Sequence, residues 1–206
     1  MNILVACEES GTVRDAFIKK GHNAISCDLV GTSSPGPHIS GNILNLLGMK
    51  WDMIIAFPPC THLSVSGAKH FAKKRQDGRQ EEAIRFFMAL VNADCEKIAV
   101  ENPVGIISGK YILEYFPELA TEYDLPLKCT QSIQPWEYGH RVQKRTCLWL
   151  KGLPKLTPTK IVDKGDFWES KGGKKRISKW YSNNKCAKNR SKTFQGIADA
   201  MAERWG

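Results

Sequence analysis

Short, wholly apolar runs alternate along this chain with stretches of helical periodicity. Residues 2–6 are Asn-Ile-Leu-Val-Ala and predict a strand. From Gly11 to Lys20 the apolar positions Val13, Ala16 and Phe17 fall at helical spacing, and Gly21 is a good stop. Asn23 to Cys27 predicts a second strand that ends at Asp28. Asp52-Met53-Ile54-Ile55-Ala56-Phe57 and Lys97-Ile98-Ala99-Val100 predict two more. Runs with no polar alternation belong to strands buried on both faces, as in a parallel sheet. Between them, Gln80 to Ala93 carries Ala83, Ile84, Phe87, Met88, Leu90 and Val91 on one helical face. Lys110 to Tyr115 predicts a helix, Thr146 to Leu150 a strand, and Thr193 to Trp205 a closing helix with Phe194, Ile197, Ala198, Met201 and Trp205 along one side. The pattern is that of an α/β domain with a mostly parallel sheet.

Two stretches lack such rhythm. Gly31 to Gly41 is turn-rich around Pro35-Gly36-Pro37. Thr61 to Arg79 is polar and basic, and predicts a long mobile loop with the character of a lid. No internal repeat is visible. No apolar run reaches the length needed to cross a membrane. The first residues carry acids and no basic flank, which suits a first strand and not a signal peptide, so the expected setting is cytoplasmic.

Charge changes this picture. The net charge is +9, and the segment from Lys171 to Lys192 holds Lys171, Lys174, Lys175, Arg176, Lys179, Lys185, Lys188, Arg190 and Lys192 with no acid among them. The rest of the chain is balanced. A concentrated basic segment that also carries Trp180 and Tyr181 suits a polyanion with stacking bases, so nucleic acid is the expected partner. Lys69, Lys73, Lys74 and Arg75, in the loop after Cys60, offer further phosphate contacts. The seven cysteines are scattered, with no Cys-x-x-Cys, which argues against a disulfide framework or a zinc site. No metal and no obligate protein partner are expected.

The candidate chemistry lies where two apolar runs end. Pro58-Pro59-Cys60 comes after one and Glu101-Asn102-Pro103 after the other. Prolines cannot continue a ladder, so the chain must leave the sheet at Pro58 and expose Cys60 beyond it. Ligands of open parallel sheets bind at the carboxyl ends of the strands. A thiol and a carboxyl therefore meet at one sheet edge, a pair able to attack an electron-poor ring and stabilise the charge that develops.

In motif order the chain resembles a DNA cytosine carbon-5 methyltransferase of the short bacteriophage type. Pro59-Cys60 with Ser64 is similar to the family's Pro-Cys motif. Glu101-Asn102 matches its Glu-Asn motif, and Tyr138-Gly139 followed by Gln143-Lys144-Arg145-Thr146-Cys147 corresponds to its Tyr-Gly and Gln-x-Arg-x-Arg motif. The resemblance implies a Rossmann-like class I methyltransferase fold with a small basic appendage. It divides the chain into a catalytic domain at 1–150, a target-recognition-like segment at 151–190, and a C-terminal helix at 191–206 packing back on the catalytic domain. The implied reaction flips a cytosine out of DNA and methylates its carbon 5 through a cysteine adduct, with RNA not excluded and, for a phage protein, in the host cytoplasm. Cys60, Glu101 and Arg145 are the implied catalytic residues. Pro59, Ser64, Asn102 and Gln143 would bind substrate together with Lys174, Lys175, Arg176, Lys179 and Trp180 of the basic segment. The implied cofactor is S-adenosylmethionine, held by Cys7, Ser10, Gly11, Asp28, Leu29, Asn42, Ile43 and Pro59.

The chain departs from the family's pattern in three places. The glycine-rich first loop is Cys7-Glu8-Glu9-Ser10-Gly11, keeping only Gly11. Asn42 replaces an acid, and Cys147 stands where the second arginine of the motif would be. A cytosine deaminase would need a second cysteine at 63, which is Leu63, and a His-x-Glu that the chain lacks. A catalytically impaired nucleic-acid-binding protein of the same fold is the remaining alternative.

Overall fold

The computed structural model describes residues 1–123, 128–169 and 176–206, with the side chains of 187 and 188 left aside. Lys171, Lys174 and Lys175, and the side chain of Lys188, therefore lie outside the described residues. Seven strands form one sheet in the order β3-β2-β1-β4-β5-β7-β6. They are β1 (Asn2–Ala6), β2 (Asn23–Asp28), β3 (His38–Ser40), β4 (Met53–Ala56), β5 (Ile98–Pro103), β6 (Gln131–Ile133) and β7 (Thr146–Lys151). The first five run parallel. β7 is antiparallel to both β5 and β6, so it is the one reversed strand. This is the Rossmann-like sheet of the class I methyltransferases.

Alternation along the central strands sends side chains into two cores. Leu4, Ala6, Ile54, Ala56, Ile98 and Val100 face one layer, where α3 (Arg79–Val91) contributes Ile84, Phe87, Met88 and Leu90, and α4 (Gly109–Tyr115) adds Ile112. Ile3, Val5, Met53, Ile55 and Ala99 face the other, covered by α1 (Thr12–Lys19) through Val13, Ala16 and Phe17 and by α8 (Gln195–Trp205) through Ile197, Ala198, Met201 and Trp205. Burial on both faces explains why these strands read as unbroken apolar runs. No helix among the described residues is long and apolar enough to cross a membrane.

Four expectations change. The turn-rich stretch after Asp28 contains β3, three residues that add to the edge of β2, with Ser26 Oγ 2.8 Å from His38 Nδ1. The segment after Cys60 is not an irregular loop. Its Val65–His70 portion is a 3-10 helix, and α2 (Phe71–Gln76) comes next, burying Phe71 and Lys74 one turn apart. β5 does not stop at Val100 but carries Glu101, Asn102 and Pro103 opposite Leu148, Cys147 and Thr146 of β7. Phe194 caps α8 in an extended conformation and is not within it. The sequence pattern also gives no sign of α5 (Pro117–Glu122) or, within 151–191, of a two-stranded ribbon of β8 (Phe167–Glu169) and β9 (Arg176–Ser178) with α6 (Lys179–Asn183) and α7 (Ala187–Ser191) after it.

Candidate active site

Cys60 lies beyond the end of β4, where the two prolines take the chain out of the sheet. Pro58 is buried, Pro59 and Cys60 are exposed. The Cys60 carbonyl accepts hydrogen bonds from the amides of Leu63 (3.0 Å) and Ser64 (2.9 Å), closing a tight turn. Asn102 donates its side-chain amide to the Pro58 carbonyl at 2.8 Å, tying this turn to β5. Ser64 caps the 3-10 helix by accepting from Ser66 N, and it bridges to Gly105. Only glycine fits at 105, because a Cβ there would stand 2.4 Å from the Leu63 carbonyl oxygen.

Glu101 shares its face of β5 with Ala99 and points toward the start of α8. Phe57, Ile133, Phe194, Ile197 and Met201 enclose it, with Lys144 and Thr146 as polar neighbours. Burial raises the Glu101 pKa above the usual carboxylate range, against a smaller pull downward from the Lys144 charge and a hydrogen bond from Thr146. The Cys60 thiol is also pushed up. Although the residue is exposed, desolvation in the cleft is the first cause and the Glu101 carboxylate the second, while Lys144 and Arg190 act to lower it. An acid inclined to keep its proton thus sits beside a thiol that needs help to lose one.

Lys144 is the cation that acts on both groups, in the place where the sequence pattern points to Arg145. The register supplies the reason. Glu101 pairs with Leu148, so even-numbered residues Leu148, Thr146 and Lys144 share its face. Arg145 falls on the opposite face, is exposed, and exerts its charge on Cys147. Gln143 is likewise exposed. The structure therefore does not bring Arg145 to the thiol and carboxyl. Strand alternation counted back from Thr146 is the signal that could have found Lys144.

The basic segment lies beside this pocket. Lys144 donates to the Arg190 carbonyl at 2.7 Å, and its ammonium stands 6.0 Å from the Trp180 ring centre and 5.9 Å from that of Phe194. Trp180 in turn packs on Phe194 at 5.6 Å. Arg176 and Lys179 lie over the rings of Phe167 and Trp168 at 4.5 and 4.7 Å. Trp168 is 57% exposed and is paired across the ribbon with Ile177, 51% exposed. This cationic and aromatic ribbon, with Trp168 at its open face, extends the candidate substrate surface beyond the residues read from the sequence. In the helical segment after Cys60, Lys69 and Lys73 are exposed, but Lys74 and Arg75 are engaged internally.

A second cleft opens at the ends of β1 and β2. Cys7 has a positive φ of 57°, and burial first, then Asp28 and Cys27, push its thiol up to about 12. Glu8 is buried and accepts from the amides of Val13 (2.6 Å) and Arg14 (3.2 Å), so its carboxylate fills the N-terminus of α1. The Ser10 hydroxyl joins it at 3.4 Å. Gly11 takes a left-handed φ of 71°, and a Cβ there would meet the Arg14 guanidinium at 2.4 Å. Asp28 accepts only the Val30 amide, at 3.2 Å, and has no ion-pair partner among the described residues; Leu29 beside it is 78% exposed. Asn42 uses its side-chain oxygen to cap the next turn through Leu44 N at 3.0 Å, and Ile43 is buried. An available carboxylate flanked by exposed apolar surface fits a nucleoside. A phosphate at the start of α1 does not fit, because Glu8 already holds its donors.

No protein-family model and no curated protein matches the chain. Among solved structures it is similar to a prophage-encoded E. coli protein provisionally described as a DNA modification methyltransferase, with TM-score 0.50 and 17% identity over 79% of this chain. The chain spans 52% of that protein's length. It is also matched by the bifunctional kinase-methyltransferase WbdD at TM-score 0.39 and 13% identity, covering 84% of this chain and 40% of that one. The first likeness bears on the fold alone, and the second carries no argument.

Proposed function

We propose that this protein is an S-adenosylmethionine-dependent DNA (cytosine-5-)-methyltransferase that works through a cysteine adduct. The observation that carries the reading is the meeting of Cys60 and Glu101 at one sheet edge, with Lys144 acting on both. Cys60 Sγ, as thiolate, forms a bond to carbon 6 of a flipped cytosine. Glu101 gives its proton to ring nitrogen 3, so the adduct carries no net negative charge, and its raised pKa keeps that proton available. Lys144 favours the thiolate before attack. After methylation, loss of the carbon 5 proton lets the carbon 6–sulfur bond break and returns Cys60. S-adenosylmethionine would supply an electrophilic methyl group for carbon 5. Asp28 would take its ribose hydroxyls, Leu29 and Ile43 its adenine, and the Cys7–Gly11 turn and Pro59 its remainder.

DNA as substrate is supported by the cationic, aromatic surface of Arg176, Lys179, Trp168 and Trp180 beside the pocket. Lys174 and Lys175 belong to the same proposal from sequence alone. We take 151–190 as the substrate-facing segment and 1–150 with the C-terminal helix as the catalytic body. A second reading, an impaired nucleic-acid binder, is favoured by one observation: Arg145 faces away from the pair that the resemblance says it should serve. Incubation with labelled S-adenosylmethionine and DNA or RNA, followed by nucleoside analysis, separates these. The proposal expects 5-methylcytosine from DNA. Nucleic-acid binding without cofactor binding or transfer supports the impaired binder, and label confined to RNA replaces the substrate.

A further inference from the structure

Three backbone carbonyls around Cys60 are each held by a buried side chain from a different element. Asn102 of β5 donates to the Pro58 carbonyl at 2.8 Å, Lys74 of α2 to that of Thr61 at 2.6 Å, and Gln80 of α3 to that of His62 at 3.2 Å. Asn102 is 1% exposed, Lys74 7% and Gln80 0%. Gln80 is itself fixed, because its side-chain oxygen accepts from the Tyr111 hydroxyl at 2.8 Å, and that hydroxyl accepts from Arg75 at 2.8 Å. Burying the Lys74 ammonium, 6.0 Å from the Phe71 ring centre, costs free energy unless the charge finds acceptors. No carboxylate pairs with Lys74 among the described residues. Its one protein acceptor given by the structure is the carbonyl one residue beyond Cys60. Packing alone would be served by a methionine or leucine at either position. Carbonyls in a turn that leaves the sheet, by contrast, have no ladder partner and need donors from elsewhere.

We propose that Lys74 and Gln80 are positioning residues that fix the Cys60 turn and so aim its thiol at Glu101 and Lys144 without closure of a loop. The proposal rests on Cys60 being the nucleophile of the function proposed above, but thiol reactivity tests it separately. The groups acting on that thiol come from several elements: Glu101 from β5, Lys144 from the approach to β7, and Arg190 from α7, with Tyr181 of α6 within reach of its charge. A turn released from its clamp moves the thiol away from Glu101 and out of the cleft, which removes both causes that raise its pKa.

The experiment measures alkylation of Cys60 by iodoacetamide against pH, read by peptide mass mapping, with Cys60→Ser to identify the peptide. The thiolate displaces iodide, so the profile tracks thiolate formation. Lys74→Met and Gln80→Leu should shift the profile toward that of an ordinary thiol and speed alkylation at pH 8 about fivefold. Lys74→Arg, which keeps a donor, should retain the wild-type profile. Tyr111→Phe, a milder change two bonds removed from the turn, should move it the same way by less. Adduct formation on DNA containing 5-fluorocytosine should slow ~10-fold or more in Lys74→Met and Gln80→Leu, as expected for a misplaced nucleophile. Unchanged profiles in Lys74→Met, Gln80→Leu and Tyr111→Phe, with only a lower melting temperature, overturn the proposal. Shifted profiles with no adduct in the wild type uphold the clamp and count against the methyltransferase reading instead.

Discussion

Glu101 is held among apolar side chains, and its raised pKa has consequences for both rate and stability. The folded carboxyl keeps its proton to a higher pH than the unfolded one. The stability attached to that proton is complete below the usual carboxylate range, about pH 4, and is lost as pH rises through the folded value. Glu101→Gln keeps the shape and removes the ionisation. It should match the wild type in stability at low pH and exceed it at neutral and alkaline pH, as thermal unfolding across pH would register. The same variant should lose ~10²–10⁴-fold in methyl transfer, the usual worth of a general acid. A variant that is both active and unchanged in stability would make Glu101 an ordinary structural acid. Lys144 gives a second contrast. Lys144→Met removes the charge that favours the Cys60 thiolate, so its alkylation profile should move to higher pH, whereas Arg145→Met should leave it in place. Equal shifts in both would contradict the assignment of Lys144.

The β1–α1 and β2–β3 connections, each carrying part of the second cleft, are joined by Arg14. Its fully buried guanidinium donates to Ser26 Oγ at 3.2 Å, to the carbonyls of Ser34 (3.2 Å) and Pro35 (3.0 Å), and to Asp15 at 2.7 Å. Arg14→Met should cost on the order of 3 kcal/mol, since each charged hydrogen bond lost is worth about 1.5–3 kcal/mol before acceptors regain water. It should also speed amide exchange at residues 32–37 and reduce the thermal shift produced by S-adenosylmethionine. Unaltered exchange there would show that the connection holds itself. The central strands and both long helices were legible because burial on two faces, or along one, leaves an apolar signature. β3 was not, because three residues join an edge through backbone pairing. α2 was not, because half of its buried face is a lysine whose ammonium answers a carbonyl. Cys60 and Glu101 were legible as strand-end chemistry. Glu8 and Arg14 were not, because a buried charge is explained only by the partners that folding brings to it.

Across the whole molecule, the substrate ribbon, the Glu101 pocket and the Cys60 turn lie at one end of the sheet, joined through Lys144, Trp180 and Phe194. Such a surface should bind nucleic acid with strong salt dependence. Arg176→Ala with Lys179→Ala should flatten the logarithmic salt slope by about 0.9 for each lost phosphate contact on duplex DNA, or about 0.7 on a single strand. Trp168→Ala should weaken binding with little change of slope, because stacking releases no counterions. A slope indifferent to both cations would make the ribbon a solvated surface. The central claim is that Cys60 bonds to cytosine under the control of Glu101. Its most direct test is incubation with S-adenosylmethionine and DNA containing 5-fluorocytosine, followed by intact-mass analysis and peptide mapping. Fluorine cannot leave as a proton does, so the account predicts a protein–DNA adduct at Cys60 that forms slowly in Glu101→Gln and not at all in Cys60→Ala. Methyl transfer by Cys60→Ala, or wild-type transfer to unmodified DNA with no adduct trapped on the fluorinated strand, would contradict it.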